Sequence, residues 1–187
     1  VDSTDDDGQT ALHWAARNGQ ISTVKILLRH GFSVNLVDSK GKSALHHAVN
    51  HRQEALFRVL VDNGANIEFA DNRGQTHFLY AVENMAVNAA QILLKMGAKS
   101  RALNFMKQNS LHLATLGRED EGLQVTTILF SHSDCPKPSA SDLDNMTPLH
   151  YSVARSHQKL SKLLLQNGAD INIGVQRSST DYRTGNH

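Results

Sequence analysis

The tetrapeptide TALH at Thr10–His13 recurs along this 187-residue chain and decides its fold class. It returns as SALH at residues 43–46, THFL at 76–79, NSLH at 109–112 and TPLH at 147–150. The first three intervals are 33 residues each and the last is 38. A second marker keeps the same spacing in the strings HGFSVN, NGANIE, MGAKSR and NGADIN, which begin at residues 30, 63, 96 and 167. Two markers in phase indicate an internal repeat of five units.

Each unit predicts two short helices and an extended finger. Thr10 and its equivalents suit a helix N-cap, and Pro148 suits the first helical turn. Apolar residues at helical spacing, such as Val24, Leu27 and Leu28, predict the second helix. That helix is expected to end at a left-handed glycine. The glycines concerned are Gly31, Gly64, Gly97 and Gly168. Because one unit is too small to have an interior of its own, the units are expected to stack into a solenoid.

The chain resembles the ankyrin repeat family, whose 33-residue unit carries the signature T-P-L-H-x-A. The resemblance covers residues 5 to about 173. It implies an all-α solenoid of stacked helix–turn–helix units with β-hairpin-like fingers. The expected ankyrin domain spans residues 1–173. Its units are about 5–37, 38–70, 71–103, 104–141 and 142–173, and residues 174–187 form a polar tail or the start of a diverged sixth repeat.

The resemblance also explains the repeated histidines, since the family uses them to bond backbone between neighbouring fingers. It assigns this structural role to His13, His46, His112 and His150. Unit three departs from the pattern, with Leu79 in place of the histidine and His77 where proline or alanine is usual. We expect a locally weaker junction between repeats there.

Unit four is five residues longer than the others. Aligning its second helix with that of unit one places two extra residues in 117–122 and three in 131–141. The second segment contains two prolines, four serines and one histidine, which is typical of an irregular loop. Tolerance of a long loop and a functional insertion both remain open.

Both ends suggest a longer array. Val1 occupies the register of the last residue of a preceding unit, and Thr180 lies 33 residues after Thr147. Unit one has a near-consensus sequence without the polar residues of an end cap. We expect either a longer chain or ends covered by tail or partner residues.

Composition excludes several classes of protein. Lys and Arg total 19 against 18 Asp and Glu, so the net charge of +1 argues against a nucleic-acid binder. No apolar run approaches the roughly 20 residues of a membrane span, and the acidic start is unlike a signal peptide. Cys135 is the single cysteine, which excludes a disulfide framework and favours a reducing location, cytoplasmic or nuclear.

Strings that mimic active sites fail on spacing. Gly41-Lys42-Ser43 lacks the earlier glycine of a phosphate loop, and the acidic residues 3–8 lack the closing Glu of a calcium loop. His47 and His51 could share a helix face but lack a third metal ligand. Cys135 has only Lys137 as a nearby cation, and Asn145-Met146-Thr147 matches a glycosylation site whose Thr is needed as a cap. The sequence therefore predicts no catalytic, cofactor or metal site.

Function is expected on the surface, because the family binds proteins through finger tips and the exposed side of the first helices, which form a concave face. The resemblance implies a partner-binding set of Lys40, Lys42, Asn72, Arg73, Gln75, Phe105, Met106, Leu143, Met146 and Arg155. Four of these are large apolar residues on adjacent fingers. They form either a contact site or a cluster packed under the loop at Cys135 or against itself.

The expected partner is a peptide or domain with apolar anchors and acidic residues. The chain is predicted to be a scaffold or adaptor without catalysis, or a regulatory or substrate-recruiting segment of a larger enzyme or ion channel. Trp14, Tyr80 and Tyr151 are expected to be semi-buried packing residues. Asn35 and Asn172 match the finger-end asparagine that intracellular hydroxylases modify in ankyrin proteins, and are candidate hydroxylation sites.

Overall fold

A computed structural model describes residues 2–50 and 54–174, which form ten α-helices and one 3-10 turn. The helices are α1 Ala11–Arg17, α2 Ile21–Arg29, α3 Ala44–His47, α4 Glu54–Asp62, α5 His77–Glu83, α6 Val87–Lys95, α7 Ser110–Ala114, α8 Glu119–Ser131, α9 Pro148–Ala154 and α10 Gln158–Gln166, with the 3-10 turn at Ala48–Asn50. Within those ranges the extended pairing is limited to antiparallel bridges at three finger bases. The bridges join Thr4 to Thr10, Val37 to Ser43 and Ala70 to Thr76. The all-α class and the hairpin-like fingers are confirmed. Val1, His51 and the segment 175–187, with Thr180, lie outside the described residues.

The helices begin and end where the sequence predicts. The side chains of Thr10, Asn109 and Thr147 accept the N–H of the residue three positions on, at 3.4, 3.1 and 3.4 Å. Pro148 lies in the first turn of α9. The glycines after the second helices all have φ between +83° and +91°. Only glycine adopts this conformation without strain, so these residues end the helices.

One continuous core runs through the stack. Leu12, Leu45, Phe78 and Leu111, at equivalent positions of the first helices, are buried. They pack with buried residues of the second helices, including Phe57, Leu93 and Leu160. Neighbouring layers therefore share an interior that no single unit could form.

Backbone hydrogen bonds join the fingers. The N–H of Ser39 donates to the carbonyl of Asp7 at 2.9 Å, and Asn72 donates to Lys40 at 3.0 Å. Phe105 donates to Arg73 at 3.1 Å, and Leu143 donates to Met106 at 3.0 Å. All four junctions between the five units carry this bond. The finger tips consequently form a continuous row.

Two of the four repeated histidines bond the backbone of the following unit, as predicted. Each Nδ1 accepts the N–H of its own N-cap residue, so Nε2 carries the proton. His46 Nε2 donates to Gln75 O at 3.1 Å and His112 Nε2 to Met146 O at 3.1 Å, each in the following unit. His13 Nε2 donates to Leu36 O at 3.0 Å, at the end of its own unit. His150 bonds its own cap residue, Thr147.

Unit three replaces the missing histidine link by a different one. His77 is fully buried, and its Nδ1 donates to Ile67 O at 2.9 Å. Its Nε2 must then accept, and the hydroxyl of Ser43 in unit two donates to it at 2.8 Å. Leu79 is buried. The substitution therefore moves a histidine bond from the junction with unit four to the junction with unit two. The weaker junction after unit three stays a prediction.

The extra residues of unit four are only partly in loops. Helix α8 has 13 residues whereas α6 has nine, so the insertion before it lengthens the helix rather than the turn. Three acidic residues in its first turn suit the helix dipole and favour this extension. The second insertion is irregular after Ser131, as predicted. It is fastened to unit three, because Arg101 forms an ion pair with Asp134 at 2.9 Å and donates to Cys135 O at 3.2 Å.

Candidate partner-binding face

The finger face consists of the finger tips (residues 5–9, 38–42, 71–75, 104–108 and 142–146) and the adjoining side of the first helices. Each tip is shaped by the side-chain oxygen of its first residue. Asp38 Oδ1, for example, accepts the N–H groups of Lys40 and Lys42, both at 2.9 Å. Asp5, Asp71, Asn104 and Asp142 make the same pair of bonds. The repeated turn therefore presents equivalent positions of every unit side by side.

The cationic residues of the tips are not equivalent to one another. Lys40 is exposed, whereas the half-buried Lys42 lies against Tyr80 with its Nζ 4.2 Å from the ring centre. Arg73 is exposed but forms an ion pair with Glu83, which raises the pKa of the guanidinium. Asn72 is exposed and donates to Ser39 O at 3.1 Å. Lys40 and Lys42 therefore offer a partner less compensated charge than Arg73.

Three of the four apolar residues of the tips are exposed. Phe105 is 70 % exposed, Met106 45 % and Leu143 50 %, and Met146 is half-buried. One face of the Phe105 ring rests on the preceding finger, where a Cβ added to Gly74 would lie 2.6 Å from Cδ1. The loop at Cys135 bonds Ser100 and Arg101 instead of covering these side chains. The alternative that they are packed away is therefore wrong for Phe105, Met106 and Leu143.

Gln75 corrects the expected set, since it is fully buried and presents no surface. Residues at its position in neighbouring units reach a tyrosine of the next unit. Lys42 Nζ donates to the Tyr80 hydroxyl at 3.0 Å and Gln108 Nε2 to the Tyr151 hydroxyl at 3.2 Å. In the unit after Gln75, the position that Tyr80 and Tyr151 hold in their own units is occupied by Leu113, whose side chain has no polar atom. Both polar atoms of the Gln75 amide consequently lack a partner within the described ranges. Arg155, another member of the set, is exposed at the end of α9.

The position after the repeat histidine, held by Trp14, His47 and Tyr151 in units one, two and five, carries polar side-chain bonds that the sequence analysis did not predict. Trp14 Nε1 donates to Asp5 Oδ2 at 2.8 Å, and the Tyr151 hydroxyl donates to Asp142 Oδ2 at 2.7 Å. His47 Nε2 bonds Asp38 Oδ2 at 2.9 Å. The sequence could have predicted these bonds, because in each pair the polar residue follows its aspartate by nine positions. Tyr80 and Tyr151 are half-buried as expected, and Tyr80 packs against the core. The prediction is wrong for Trp14, which is exposed, and it left out the hydrogen bonds made at this position.

The Asp38–His47 pair joins a carboxylate to a neutral imidazole. Burial opposes ionisation of Asp38, but the N–H of Lys42 and the His47 ring outweigh it and lower the pKa of the carboxyl. Burial lowers the pKa of His47 despite the neighbouring carboxylate. At pH 7 the pair therefore holds one negative charge and serves to position both side chains.

Comparison with family models identifies the fold. The model for ankyrin repeats in three copies matches residues 1–71, and the model for the single ankyrin repeat matches residues 144–174. Together they cover more than half of the chain. The chain belongs to the ankyrin repeat family. Ankyrin repeats are in general non-catalytic modules that bind proteins, and this ankyrin stack is accordingly a protein-interaction module.

Two relatives match short parts of this ankyrin protein. A stretch of 37 residues is 57 % identical to the palmitoyltransferase akr1 of Schizosaccharomyces pombe, covering 20 % of this chain and 6 % of that protein. A stretch of 56 residues is 38 % identical to an ankyrin repeat-containing protein of the same organism, covering 29 % and 27 %. The matched stretches thus cover less than a third of the length of either relative.

The remaining candidates of the ankyrin chain have local roles. His47 is engaged by Asp38, and His51 lies outside the described residues; within those, no group of three or more ligating side chains is arranged for a metal. Burial raises the pKa of Cys135, which disfavours the thiolate. Among the helices that the structure describes, none has the length and apolarity to cross a membrane.

The two candidate hydroxylation sites differ in their contacts. Asn35 donates through Nδ2 to Gly64 O at 2.8 Å, and its Oδ1 accepts the N–H of Asn66 at 3.0 Å. Asn172 is exposed, and its backbone N–H donates to Asp170. The Asn35 amide therefore links neighbouring units, whereas the Asn172 contact is local.

Proposed function

We propose that this protein is a scaffold or adaptor that captures a partner protein on its finger face and has no catalysis of its own. The observation that carries the proposal is the exposure of Phe105, Met106 and Leu143 on two adjacent finger tips. Finger tips are surface turns, and contiguous large apolar side chains on such a surface mark a contact site. Met106 adds a flexible, polarisable side chain that adapts to a ligand.

Affinity arithmetic requires further contacts beside this apolar cluster. Full burial of three such side chains contributes roughly 5–9 kcal/mol, at about 1.5–3 kcal/mol each. Association itself costs an estimated 4–15 kcal/mol. The apolar anchors alone therefore give weak binding. Lys40 and Lys42, with Asn72, Met146 and Arg155, supply the polar and flanking contacts, and the lysines steer an acidic segment toward the face.

The partner that fits is a protein segment with apolar anchors at one end and acidic residues at the other. Nucleic acid is a poor match, because the cationic tips alternate with Asp7, Glu83 and Asp144. The single cysteine supports a reducing location in the cytoplasm or nucleus.

The experiment is affinity capture with mass spectrometry, using the wild-type chain and the double variant Phe105→Asp with Met106→Asp. We expect the variant to lose the captured partner and to keep the helical circular dichroism signal. A matched control is Ile26→Asp with Leu165→Asp, since both residues are exposed apolar side chains of second helices. Equal capture by wild type and the Phe105/Met106 variant would refute the assignment of the face.

A second candidate is a regulatory or substrate-recruiting ankyrin segment of a larger enzyme or channel. The local identity to a palmitoyltransferase favours it, since that enzyme carries a related repeat. Sequencing the full-length transcript tests this candidate. A catalytic or channel domain in the same reading frame supports it, and a transcript that encodes only repeats contradicts it.

Hydroxylation of Asn35 and Asn172 is compatible with either function. Both stand in the register that the family's hydroxylases modify, and Asn172 is exposed. Peptide mass spectrometry of the protein from its own cells should show a +16 mass shift at one of them, and unmodified peptides at both would dismiss the idea.

A further inference from the structure

A polar pocket of about 190 Å³ opens on the finger face where units one, two and three meet. We propose that Lys42 and Tyr80 together bind an oxyanion in this pocket, the carboxylate or phosphate of an acidic or phosphorylated partner residue. The inference rests on the proposed use of the finger face. It adds a ligand class for the pocket and gives Tyr80 a role in specificity.

The hydrogen bond between Lys42 and Tyr80 leaves unused donors on two neighbouring side chains. Lys42 Nζ lies 3.0 Å from the Tyr80 oxygen. An ammonium group can only donate, so the tyrosine oxygen accepts and its own proton remains to be donated. Within residues 2–50 and 54–174, that proton has no hydrogen-bond acceptor, and Lys42 Nζ makes no second hydrogen bond beside its contact with the Tyr80 ring. One anionic oxygen near both side chains would satisfy the hydroxyl and the ammonium together.

Unit five shows what the tyrosine position does when an anion is present. The Tyr151 hydroxyl accepts from Gln108 Nε2 at 3.2 Å and donates to Asp142 Oδ2 at 2.7 Å. The equivalent carboxylate of unit three, Asp71, accepts two backbone N–H groups through Oδ1 just as Asp142 does, but it makes no bond to Tyr80 in the described part of the chain. The Tyr80 oxygen accepts from Lys42 instead. A carboxylate or phosphate of a ligand would give Tyr80 the acceptor that Asp142 gives Tyr151.

The charges around the pocket favour an anion. Three cations line it, Arg17, Lys40 and Lys42, against the carboxylates of Asp7 and Asp38. Both oxygens of Asp38 are already engaged within its own unit, Oδ1 by two backbone N–H groups and Oδ2 by His47. Hydrogen bonds from a cation and a hydroxyl to an ionised acceptor are among the strongest available to a protein.

Gln9 also lines the pocket and is more than nine-tenths buried. Its Oε1 has no partner in the described part of the chain, but this atom is closed off from solvent. The donors that an anion would meet are therefore those of Lys42 and Tyr80, from units two and three.

The test is NMR of the whole chain labelled at tyrosine Cε and lysine Cε. The probes are the N-methylamides of N-acetylaspartate and N-acetylphosphoserine, with sodium chloride at matched ionic strength. We expect a saturable shift of Tyr80 and Lys42 with at least one of the two amides, and the stronger of them tells carboxylate from phosphate. Tyr151 is the internal control, because its proton is already donated to Asp142, and its signal should stay in place.

Two variants assign the contact. Tyr80→Phe keeps the ring against Lys42 and should weaken the probe about tenfold, read at Lys42, because one hydrogen bond to an ionised group is lost. Lys42→Met should abolish the Tyr80 shift, and Tyr151→Phe should change neither. Circular dichroism verifies that all three variants fold.

Three results would overturn the inference: no saturable shift at Tyr80, equal shifts at Tyr80 and Tyr151, or chloride acting as well as the amides, which means an adventitious ion only. None of them bears on capture through Phe105 and Met106. Loss of the pocket and loss of the proposed function are therefore distinguishable.

Discussion

Acid should destabilise this protein through the buried histidines of units two and three. The rings of His46 and His77 lie with their centres 3.8 Å apart. Burial lowers the pKa of His46 to about 4. Burial, with the nearby His46, lowers the pKa of His77 to about 3. Both side chains are therefore neutral in the folded protein down to acidic pH, whereas an unfolded histidine takes up a proton near pH 6.5.

The sign and size of the effect follow from linkage. Between pH 6.5 and the folded pKa values, the unfolded state binds protons that the folded state does not, so stability falls as pH falls. Each pH unit in this window is worth about 1.4 kcal/mol for each histidine. From pH 7 to pH 5, each of the two histidines should remove about 2 kcal/mol from the free energy of unfolding.

The variant His77→Ala isolates one of these contributions. It should be less stable than wild type at pH 7, because the bonds to Ser43 and Ile67 are lost. The loss of stability between pH 7 and pH 5 should nevertheless be smaller by about 2 kcal/mol. Urea unfolding at pH 7, 6 and 5, followed by circular dichroism, measures both quantities. His30→Ala is the control, since it removes an exposed histidine instead of a buried one. An equal pH dependence in His77→Ala and wild type would refute the reasoning.

Two further predictions concern the finger tip of unit three. Gln75→Leu should raise the free energy of unfolding by about 1–3 kcal/mol, because it removes a buried amide without a partner; a less stable variant in urea would show that the amide is satisfied. Gly74→Ala should lower stability by about 1 kcal/mol or more and move the Phe105 ring, because Gly74 has φ +73° and its added Cβ would meet that ring. Gly31→Ala is the control, because Gly31 has φ +83° but no atom within 4 Å of an added Cβ, so this variant should show the backbone strain alone. A Phe105 NMR signal that Gly74→Ala leaves unmoved would contradict the contact between Gly74 and the Phe105 ring.

The repeat predicts the backbone of this protein well, because its rules are local and recur. Thr10, Asn109 and Thr147 cap their helices, and the glycines at 33-residue spacing end the second helices. Each of these features depends on one residue type in one backbone conformation. A single sequence is therefore enough to locate them.

Contacts between units were harder to predict, because they depend on pairs of positions. Lys42, Gln75 and Gln108 occupy one register, yet only Gln75 is left without a hydrogen-bond partner in the part of the chain that the structure describes. The difference lies in Leu113, 38 residues away. The role of His77 likewise depends on a second position, because its Nε2 bonds the hydroxyl of Ser43 in the preceding unit.

Insertions were the other limit. The two residues added before α8 could form a loop or a helical turn, and the pattern of unit one favoured neither. Glu119, Asp120 and Glu121 in the first turn of the longer helix supply the physical reason for the helix. Acidic residues at such a junction are the signal that sequence reasoning should have used.

The order of the fingers fixes how one partner could engage both candidate regions. Backbone bonds from Ser39 to Asp7 through Leu143 to Met106 place the five tips in sequence along one row. An extended segment crossing that row would meet the pocket of Lys42 and Tyr80 first. Phe105 lies two units beyond Lys42, and Leu143 lies three units beyond it. A partner segment with an acidic residue and an apolar anchor at this separation would then contact both regions at once. In the reversed direction, the acidic residue would face Phe105 and Leu143, and the apolar anchor would face the pocket. The direction in which the partner segment binds would thus be set by the polar pocket and the apolar side chains together, because neither region alone binds tightly enough.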